Sequence, residues 1–203
     1  MKFSFIITAL ALTATIITTT AQATPLSLGY SGFYKYMAKV EKAKVEYAEL
    51  GFYLSRADGQ GLCNIETGMV RVDDTLKSEV KVLPHGQFVL PYDKQLDLDK
   101  ALVELEVTDT AQCDISIQIQ ANLAGGEVSM AQLRQVEDEM YRLLQKMAGW
   151  PGRYFVPELQ GIKLHPAEPG QRLNGLEQQQ LNKAELAGER SQSLPAVRVT
   201  PWF

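Results

Sequence analysis

Apolar and polar residues alternate in several short segments before residue 125. In ALVELEVT, Val103, Leu105 and Val107 share one side, and two glutamates lie on the other. Residues 113–120, CDISIQIQ, repeat the pattern. Alternation of one apolar and one polar face is typical of an antiparallel sheet that is solvated on one side. About seven such strands predict a sandwich-like or strongly curved sheet.

Helical periodicity appears in two places. Residues 129–148 carry apolar positions with the spacing of one helix face, and Ser129 followed by Gln132 matches an N-terminal capping box. A shorter pattern of the same kind spans residues 31–40. We therefore predict an α+β domain with a short N-terminal helix and a C-terminal helix that packs on the sheet.

Residues 1–23 have the composition of a secretory signal peptide. Lys2 is their one charge, an apolar stretch follows to about Ile17, and the triplet AQA ends at Ala23 as a cleavage site. Cleavage after Ala23 predicts an exported, periplasmic chain that begins at Thr24. The apolar stretch is short for a membrane span, and no later segment is apolar enough to form one.

The composition changes after Pro166. Residues 167–193 are rich in Gln, Glu and Gly with isolated leucines, a composition that buries little apolar surface. We therefore expect one domain over residues 24–166 and a flexible, partly disordered polar tail over residues 167–203. The tail ends in the apolar segment LPAVRVTPWF, which is suited to docking on a partner as a short peptide.

The charge distribution argues against nucleic acid as a partner. The net charge is −4 at pH 7, and it becomes more negative once Lys2 is removed with the signal peptide. Basic residues are dispersed along the chain, whereas nucleic-acid binding needs concentrated Lys and Arg.

The chain has two cysteines, Cys63 and Cys113. An even count in an exported chain favours a disulfide, and both residues lie in strand-like segments. A redox pair usually has the form C-x-x-C, and a catalytic thiolate needs a base beside it. Neither pattern is present, so we predict a disulfide between two strands or layers.

Other candidate chemistry lacks the spacing that it needs. His85 and His165 are far apart in the sequence, whereas metal ligands usually cluster. Asp93, Asp97 and Asp99 do not continue into a calcium-binding loop, and a solvated loop accounts for them. The sequence also lacks the motifs of serine hydrolases and nucleotide-binding proteins. We therefore assign no catalytic residue, no metal and no cofactor.

Aromatic residues cluster in WPGRYF, where Trp150, Tyr154 and Phe155 lie beside Arg and Pro. Such a cluster either packs into the end of a helix–sheet interface or forms an exposed binding surface, and the sequence leaves both alternatives open. Trp202 and Phe203, the last two residues of the sequence, are further candidates for such a surface.

Several segments resemble a known protein family. These are YSGFYKYM, LGFYLS, the run QFVLPYDKQLDLDKALVELEV with the paired cysteines, and MAGWPGRYFVPELQGIKL. They are similar to small secreted gammaproteobacterial proteins grouped as domain of unknown function 2987. The resemblance covers residues 26–166 and implies an exported protein of a Gram-negative bacterium, but it implies no activity and no catalytic residues.

Two classes of function are consistent with these features. The first is a non-catalytic binding or envelope-accessory module whose partner is an envelope protein or ligand, and the missing catalytic pattern favours it. The second is a periplasmic hydrolase that acts on envelope polymers through two carboxylates such as Asp93, Glu104 or Glu158. A hydrolase of this kind requires two carboxylates to converge in one pocket, about 5–10 Å apart.

The disulfide assignment leads to a direct prediction. Native protein isolated without reductant should contain no thiol that an alkylating reagent can reach, because both sulfurs are bonded. Mass spectrometry after alkylation measures this, and reduced, unfolded protein should take up one label on each of Cys63 and Cys113. Labelling of the native, unreduced protein would restore the nucleophile hypothesis.

Overall fold

A computed structural model gives the conformation of residues 24–108 and 112–203. The predicted signal peptide and its cleavage site lie outside these described residues. The strands are β1 (Thr24–Gly29), β2 (Ala48–Arg56), β3 (Ile65–Val72), β4 (Thr75–Glu79), β5 (Lys81–Val82), β6 (Phe88–Val89), β7 (Leu102–Val107), β8 (Cys113–Leu123), β9 (Gly126–Ser129), β10 (Gly161–Pro166), β11 (Gln179–Asn182), β12 (Ser191–Leu194) and β13 (Val197–Trp202). The helices are α1 (Tyr30–Glu41), α2 (Lys94–Leu98), α3 (Met130–Gly152) and α4 (Lys183–Leu186), and a 3₁₀ turn follows α3 at Arg153–Phe155.

Antiparallel pairing joins the strands into three sheets. The long sheet has seven strands in the order β11-β10-β13-β8-β2-β6-β5. A four-stranded sheet has the order β1-β7-β3-β4, and β12 pairs with β9 in a two-stranded sheet. This arrangement of antiparallel sheets with a few helices confirms the predicted α+β class. Within the described ranges, no helix is both long enough and apolar enough to cross a bilayer.

Apolar residues cover one face of the long sheet. Leu50 and Phe52 of β2 lie opposite Ile119 and Ile117 of β8, so all four side chains share a face. Two groups of buried residues pack on that face. One includes α3, and the other includes α1 and the four-stranded sheet. Leu50 contacts both groups, so β2 joins the two parts of the core.

The two halves of the described chain repeat one topology. In each half, the first strand pairs with the penultimate strand, β1 with β7 and β9 with β12. The second strand pairs with the last, β2 with β8 and β10 with β13, and it also pairs with a further strand, β6 or β11. Because β8 and β13 pair with each other, the strand order of the long sheet is symmetrical about them, apart from β5.

One backbone hydrogen bond recurs at the same place in both halves. Tyr30, the first residue of α1, donates its N–H to the Ala101 carbonyl at 2.9 Å, immediately before β7. Met130, the first residue of α3, donates its N–H to the Arg190 carbonyl at 2.9 Å, immediately before β12. The fold therefore contains an internal structural duplication, and β3, β4 and β5 have no counterpart in its second half.

The segment after Pro166 belongs to the fold, which contradicts the expectation of a flexible polar tail over residues 167–203. β13 lies between β10 and β8 and pairs with both. Because this strand already has partners on both edges, it is not a free docking peptide. The apolar residues of the segment after Pro166 lie on several short elements and pack in the core group that includes α3. The buried ones include Leu181, Leu186, Leu194, Val197 and Val199.

The predicted disulfide between Cys63 and Cys113 is confirmed. It joins the segment before β3 to the first residue of β8, with 6.2 Å between the two Cα atoms, a usual distance for this bond. The bond therefore links the four-stranded sheet to the long sheet. Closing the loop between the two cysteines removes about 4 kcal/mol of unfolded-state entropy in the chain-entropy treatment.

Glu139 of α3 is a carboxylate buried in the core, only 3% exposed. Its Oε2 atom accepts the backbone N–H groups of Glu46, Tyr47 and Ala48 at 2.9, 2.7 and 3.2 Å. These residues lead into β2, so the carboxylate ties α3 to the start of the strand that joins the two core groups. Gln135 donates to the other carboxylate oxygen at 3.3 Å.

The environment of Glu139 keeps it charged. Burial alone would raise the pKa of the Glu139 carboxyl, but the N–H groups of Tyr47 and Ala48, together with Gln135 and Glu46, outweigh burial and lower the pKa below its ordinary 4.5. At neutral pH the side chain is therefore an acceptor on both oxygens, which suits a site lined by donors.

Replacing this carboxylate should destabilise the fold. Glu139→Gln places an NH₂ group among backbone N–H donors, and we expect the free energy of unfolding to fall by about 2 kcal/mol at neutral pH. Urea unfolding followed by circular dichroism measures this. Asp138→Asn is the matched control, since it neutralises the adjacent, exposed carboxylate. Equal unfolding midpoints for the two variants would contradict the assignment.

The same carboxylate predicts a pH dependence. Its pKa is lower in the folded protein than in the unfolded chain, so its contribution is complete above about pH 4.5 and is lost as the pH falls through the folded pKa. The difference in stability between the unsubstituted protein and Glu139→Gln should therefore shrink on acidification below this pH.

Candidate functional site

The aromatic loop, which we define as residues 150–155, is exposed to solvent. Trp150 and Phe155 are each 81% exposed, and Tyr154 is 66% exposed. The alternative that this cluster packs into a helix–sheet interface is therefore wrong. Single exposed apolar residues are common, but three large rings within six residues form a patch of the kind that marks an interaction site.

Local backbone geometry presents this loop. The regular part of α3 ends at Gly149, whose φ of 66° favours glycine, and Trp150 is extended. Pro151 has no N–H to continue the helical ladder. The Arg153 N–H donates to the Gly149 carbonyl and closes the turn. In a continuous helix, Trp150 would lie on the same face as the buried Leu143. The break at Gly149 places Trp150 in solvent instead.

Two lysines fix the base of the loop through contacts that we call the crossed lysine caps. The Lys39 ammonium of α1 donates to the Met147 carbonyl in α3 at 3.4 Å. The Lys146 ammonium of α3 donates to the Lys42 carbonyl at the end of α1. Helix C-termini have unpaired carbonyls and a partial negative charge, so each lysine caps the other helix.

Cations gather at this corner of the molecule. The Arg153 guanidinium lies over the Tyr154 ring at 4.6 Å from its centroid. Residues 140–157 contain no carboxylate. We define the cationic end as the exposed or half-exposed basic residues of the α1 and α3 C-termini and the loop: Lys35, Lys39, Lys42, Lys44, Arg142, Lys146 and Arg153. Four carboxylates lie among these seven cations: Glu41 at the end of α1, Glu46 beyond it, Asp97 in a groove shared with Lys35, Lys39 and Lys42, and Glu139, 3.9 Å from Arg142.

The other two aromatic candidates lie at the end of β13. Trp202 is half-buried, and its carbonyl accepts the Gln160 N–H at 2.7 Å. It pairs with Gly161 at the start of β10, so its backbone helps to close the long sheet. Phe203 is 52% exposed. Trp202 therefore has a structural role, and Phe203 remains a candidate contact residue.

The second face of the long sheet carries a buried polar network. The Tyr53 hydroxyl donates to Gln120 Oε1 at 2.6 Å. Gln120 in turn donates to Gln87 at 2.8 Å and to Glu49 at 3.1 Å. Burial raises the pKa of the Tyr53 hydroxyl, and Arg198, whose guanidinium lies over the ring at 5.8 Å, acts in the opposite direction. These groups satisfy one another, which is typical of a structural network.

His165 of β10 lies on the same face, beside β13. Its Nε2 atom is 3.0 Å from the Thr200 hydroxyl. Burial, followed by the positive charges of Arg198 and Lys163, lowers the pKa of His165 to about 4. The imidazole is therefore neutral at physiological pH, and its low pKa makes it a weaker base than an ordinary histidine.

The carboxylates considered for a hydrolase lie on three separate elements, and each has a local partner. Asp93 caps α2 by accepting the Gln95 N–H at 2.7 Å. Glu104 of β7 pairs with Arg71 at 3.0 Å. Glu158 precedes β10 and lies 3.9 Å from Lys183. The hydrolase hypothesis gains no support from these positions.

The remaining candidates for metal binding lie in different parts of the structure and have local contacts of their own. Asp97 lies within α2, and Asp99, at its end, accepts a hydrogen bond from Gln95 at 2.7 Å. His85 contacts Gln87 at 3.1 Å. In residues 24–108 and 112–203, no three or more His, Cys, Asp and Glu side chains are grouped so that they could hold a metal ion.

A groove of about 450 Å³ lies between α1 and the long sheet. Its apolar lining includes Met37, Leu50 and Phe88, and its polar lining includes Glu49 and Gln87. Gln87 already belongs to the network of Gln120. Among the described residues, the aromatic loop contains the two most exposed large apolar side chains, Trp150 and Phe155.

Comparison with known proteins supports the family resemblance. The family described as Protein of unknown function (DUF2987) matches residues 22–165. Because this match covers more than half of the sequence, the chain belongs to that family. It includes the aromatic loop and ends before β11, β12 and β13. No curated protein and no solved structure matches the chain.

The environment of His165 can be tested by NMR. In a His85→Gln variant the other histidine is His165, and its ring signals should titrate with a pKa of about 4. Arg198→Gln in that background should raise the pKa only part of the way towards 6.5, since burial is the larger cause. Because the folded pKa lies below the unfolded one, stability should fall as the pH drops from 6.5 to about 4. Titration near pH 6.5 in the folded protein would contradict the assignment.

Proposed function

We propose that this member of the DUF2987 family is an exported, non-catalytic binding module of the bacterial envelope, and that the aromatic loop is its contact surface. The observation that carries the proposal is the exposure of Trp150, Tyr154 and Phe155. Aromatic rings and arginine dominate the energetics of many interfaces, and Arg153 lies in the same loop. Contact with a partner would bury these rings, and removing their apolar surface from water would favour binding.

The frame beneath the loop supports this proposal. The crossed lysine caps hold Lys39 and Lys146 against the ends of the opposite helices, and the buried side chains of Met140 and Leu143 anchor α3 on the sheet. A contact surface that is fixed before binding loses little conformational entropy when the partner arrives.

The proposal places the mature chain in the periplasm of a Gram-negative bacterium. Residues 1–23 have the features of a signal peptide, and a disulfide such as Cys63–Cys113 persists in oxidising compartments. Strand β1 begins at Thr24, so cleavage after Ala23 would leave that strand complete.

Binding to envelopes tests the proposed function. Mature protein, with its disulfide intact, should sediment with envelope fragments prepared from a Gram-negative bacterium. A Trp150→Ala/Phe155→Ala double variant should bind at least about tenfold more weakly, because two exposed rings can no longer be buried. Leu98→Ala is the control, since Leu98 is an exposed apolar residue of α2, 58% exposed.

The two variants distinguish a specific surface from general adhesion. Equal loss of binding in the double variant and in Leu98→Ala would show that exposed apolar area alone causes the sedimentation. Unchanged binding of the double variant would remove the aromatic loop from the proposal. Circular dichroism spectra of all variants should match the unsubstituted protein, because the substituted side chains are largely exposed.

A further inference from the structure

The aromatic loop and the cationic end share one corner of the molecule. Trp150 follows Met147 by three residues, and the Met147 carbonyl is held by the Lys39 ammonium. Lys146 precedes Met147 and reaches the end of α1. The net charge of the chain is −4, so this corner has the opposite sign to the protein as a whole.

We infer that this corner docks on an anionic lipid surface, an inference that rests on the proposed binding function. Trp and Tyr combine an apolar ring with a polar atom and favour the boundary between bilayer and water. Lys and Arg are attracted to anionic headgroups. A lipid surface satisfies both features together, because the rings of Trp150 and Phe155 enter the acyl boundary while the cations remain at headgroup level.

The lysines can bind headgroups without releasing the helices. An ammonium group has three donors, and each crossed lysine cap uses one of them. Lys39, Lys42 and Arg153 are side chains beside the loop that can face phosphate oxygens while α1 and α3 stay in place. Docking therefore needs no rearrangement of the core.

The arrangement of cations and aromatic rings favours a lipid surface over nucleic acid as the partner of this corner. A nucleic-acid site is a continuous basic surface, and its bound bases stack on aromatic rings within it. Here the rings of Trp150 and Phe155 are 81% exposed on a short turn, and Lys39, Lys146 and Arg153 lie at its base. This geometry matches a shallow interfacial anchor with an electrostatic component.

Tryptophan fluorescence provides the test. The chain has two tryptophans, so Trp202→Phe in the mature, disulfide-bonded chain leaves Trp150 as the reporter. Vesicles of equal parts phosphatidylglycerol and phosphatidylcholine should shift the Trp150 emission to shorter wavelength and should sediment the protein. Vesicles of phosphatidylcholine alone should bind more weakly, and added salt should weaken binding to the anionic vesicles. If Trp202→Phe does not fold, sedimentation of the unsubstituted chain gives the same comparison.

Single substitutions separate the apolar contribution to vesicle binding from the electrostatic one. Phe155→Ala should weaken vesicle binding by about tenfold or more. Arg153→Gln should weaken binding to anionic vesicles by about fivefold, and it should weaken binding to neutral vesicles by a smaller factor. Lys77→Gln, on β4 of the four-stranded sheet, and Leu98→Ala are the matched controls and should change neither.

Each outcome bears on one of the two proposals. Loop-dependent binding to envelope fragments without binding to either vesicle would overturn the lipid inference and leave the proposed function standing, with a protein or polysaccharide as partner. Equal binding to both vesicles would overturn the anionic component. Vesicle binding that survives the loss of Trp150 and Phe155 would place the contact elsewhere and overturn the inference.

Discussion

The carboxylate of Glu139 is the interaction on which the position of α3 against β2 depends. It comes from α3, packs in the second half of the fold, and accepts three backbone N–H groups where the chain enters β2. Strand β2 contacts both core groups and pairs with β8 over its whole length. A buried charge without partners is costly, so the helix and the strand must stay together for either to remain satisfied. The burial of Glu139 is therefore tolerated only because its carboxylate keeps these hydrogen bonds.

The duplication explains why such a connection is needed. Each half supplies one long helix, at least three strands of the long sheet and a pair of strands in a smaller sheet, and the halves meet through β8 and β13. Strands β8 and β13 are paired over three residues each, whereas β2 and β8 are paired over nine. Glu139 and the crossed lysine caps add contacts between the halves away from that seam. Glu139 thus holds α3 to the start of β2, and the crossed lysine caps hold the C-terminal ends of α1 and α3 together.

Local patterns in the sequence predict much of this fold. Alternation predicts the strands around β7 and β8, and the apolar stripe and Ser129 predict α3, because both signals depend on neighbours within one element. The buried leucines of residues 179–194 each belong to a different short element, so no periodicity marks them, and the alternation of Val197 and Val199 is too short to predict a central strand. The exposed state of Trp150 depends on the break at Gly149, which composition does not reveal. Glu139 and the lysines bond to groups about ninety or more residues away, a separation at which a single sequence gives no local signal.

The position of β13 has a consequence for the order in which the fold can assemble. Strands β2 and β8 can pair as soon as residue 123 is available, and β10 can pair with β11 once residue 182 is available. The seven-stranded sheet, however, is continuous only when residues 197–202 are inserted between β10 and β8. Of the described elements, this strand is the last to leave a ribosome or a translocation channel. Closure of the long sheet therefore waits for residues 197–202, although both of its parts can form pairs of strands before that segment is available.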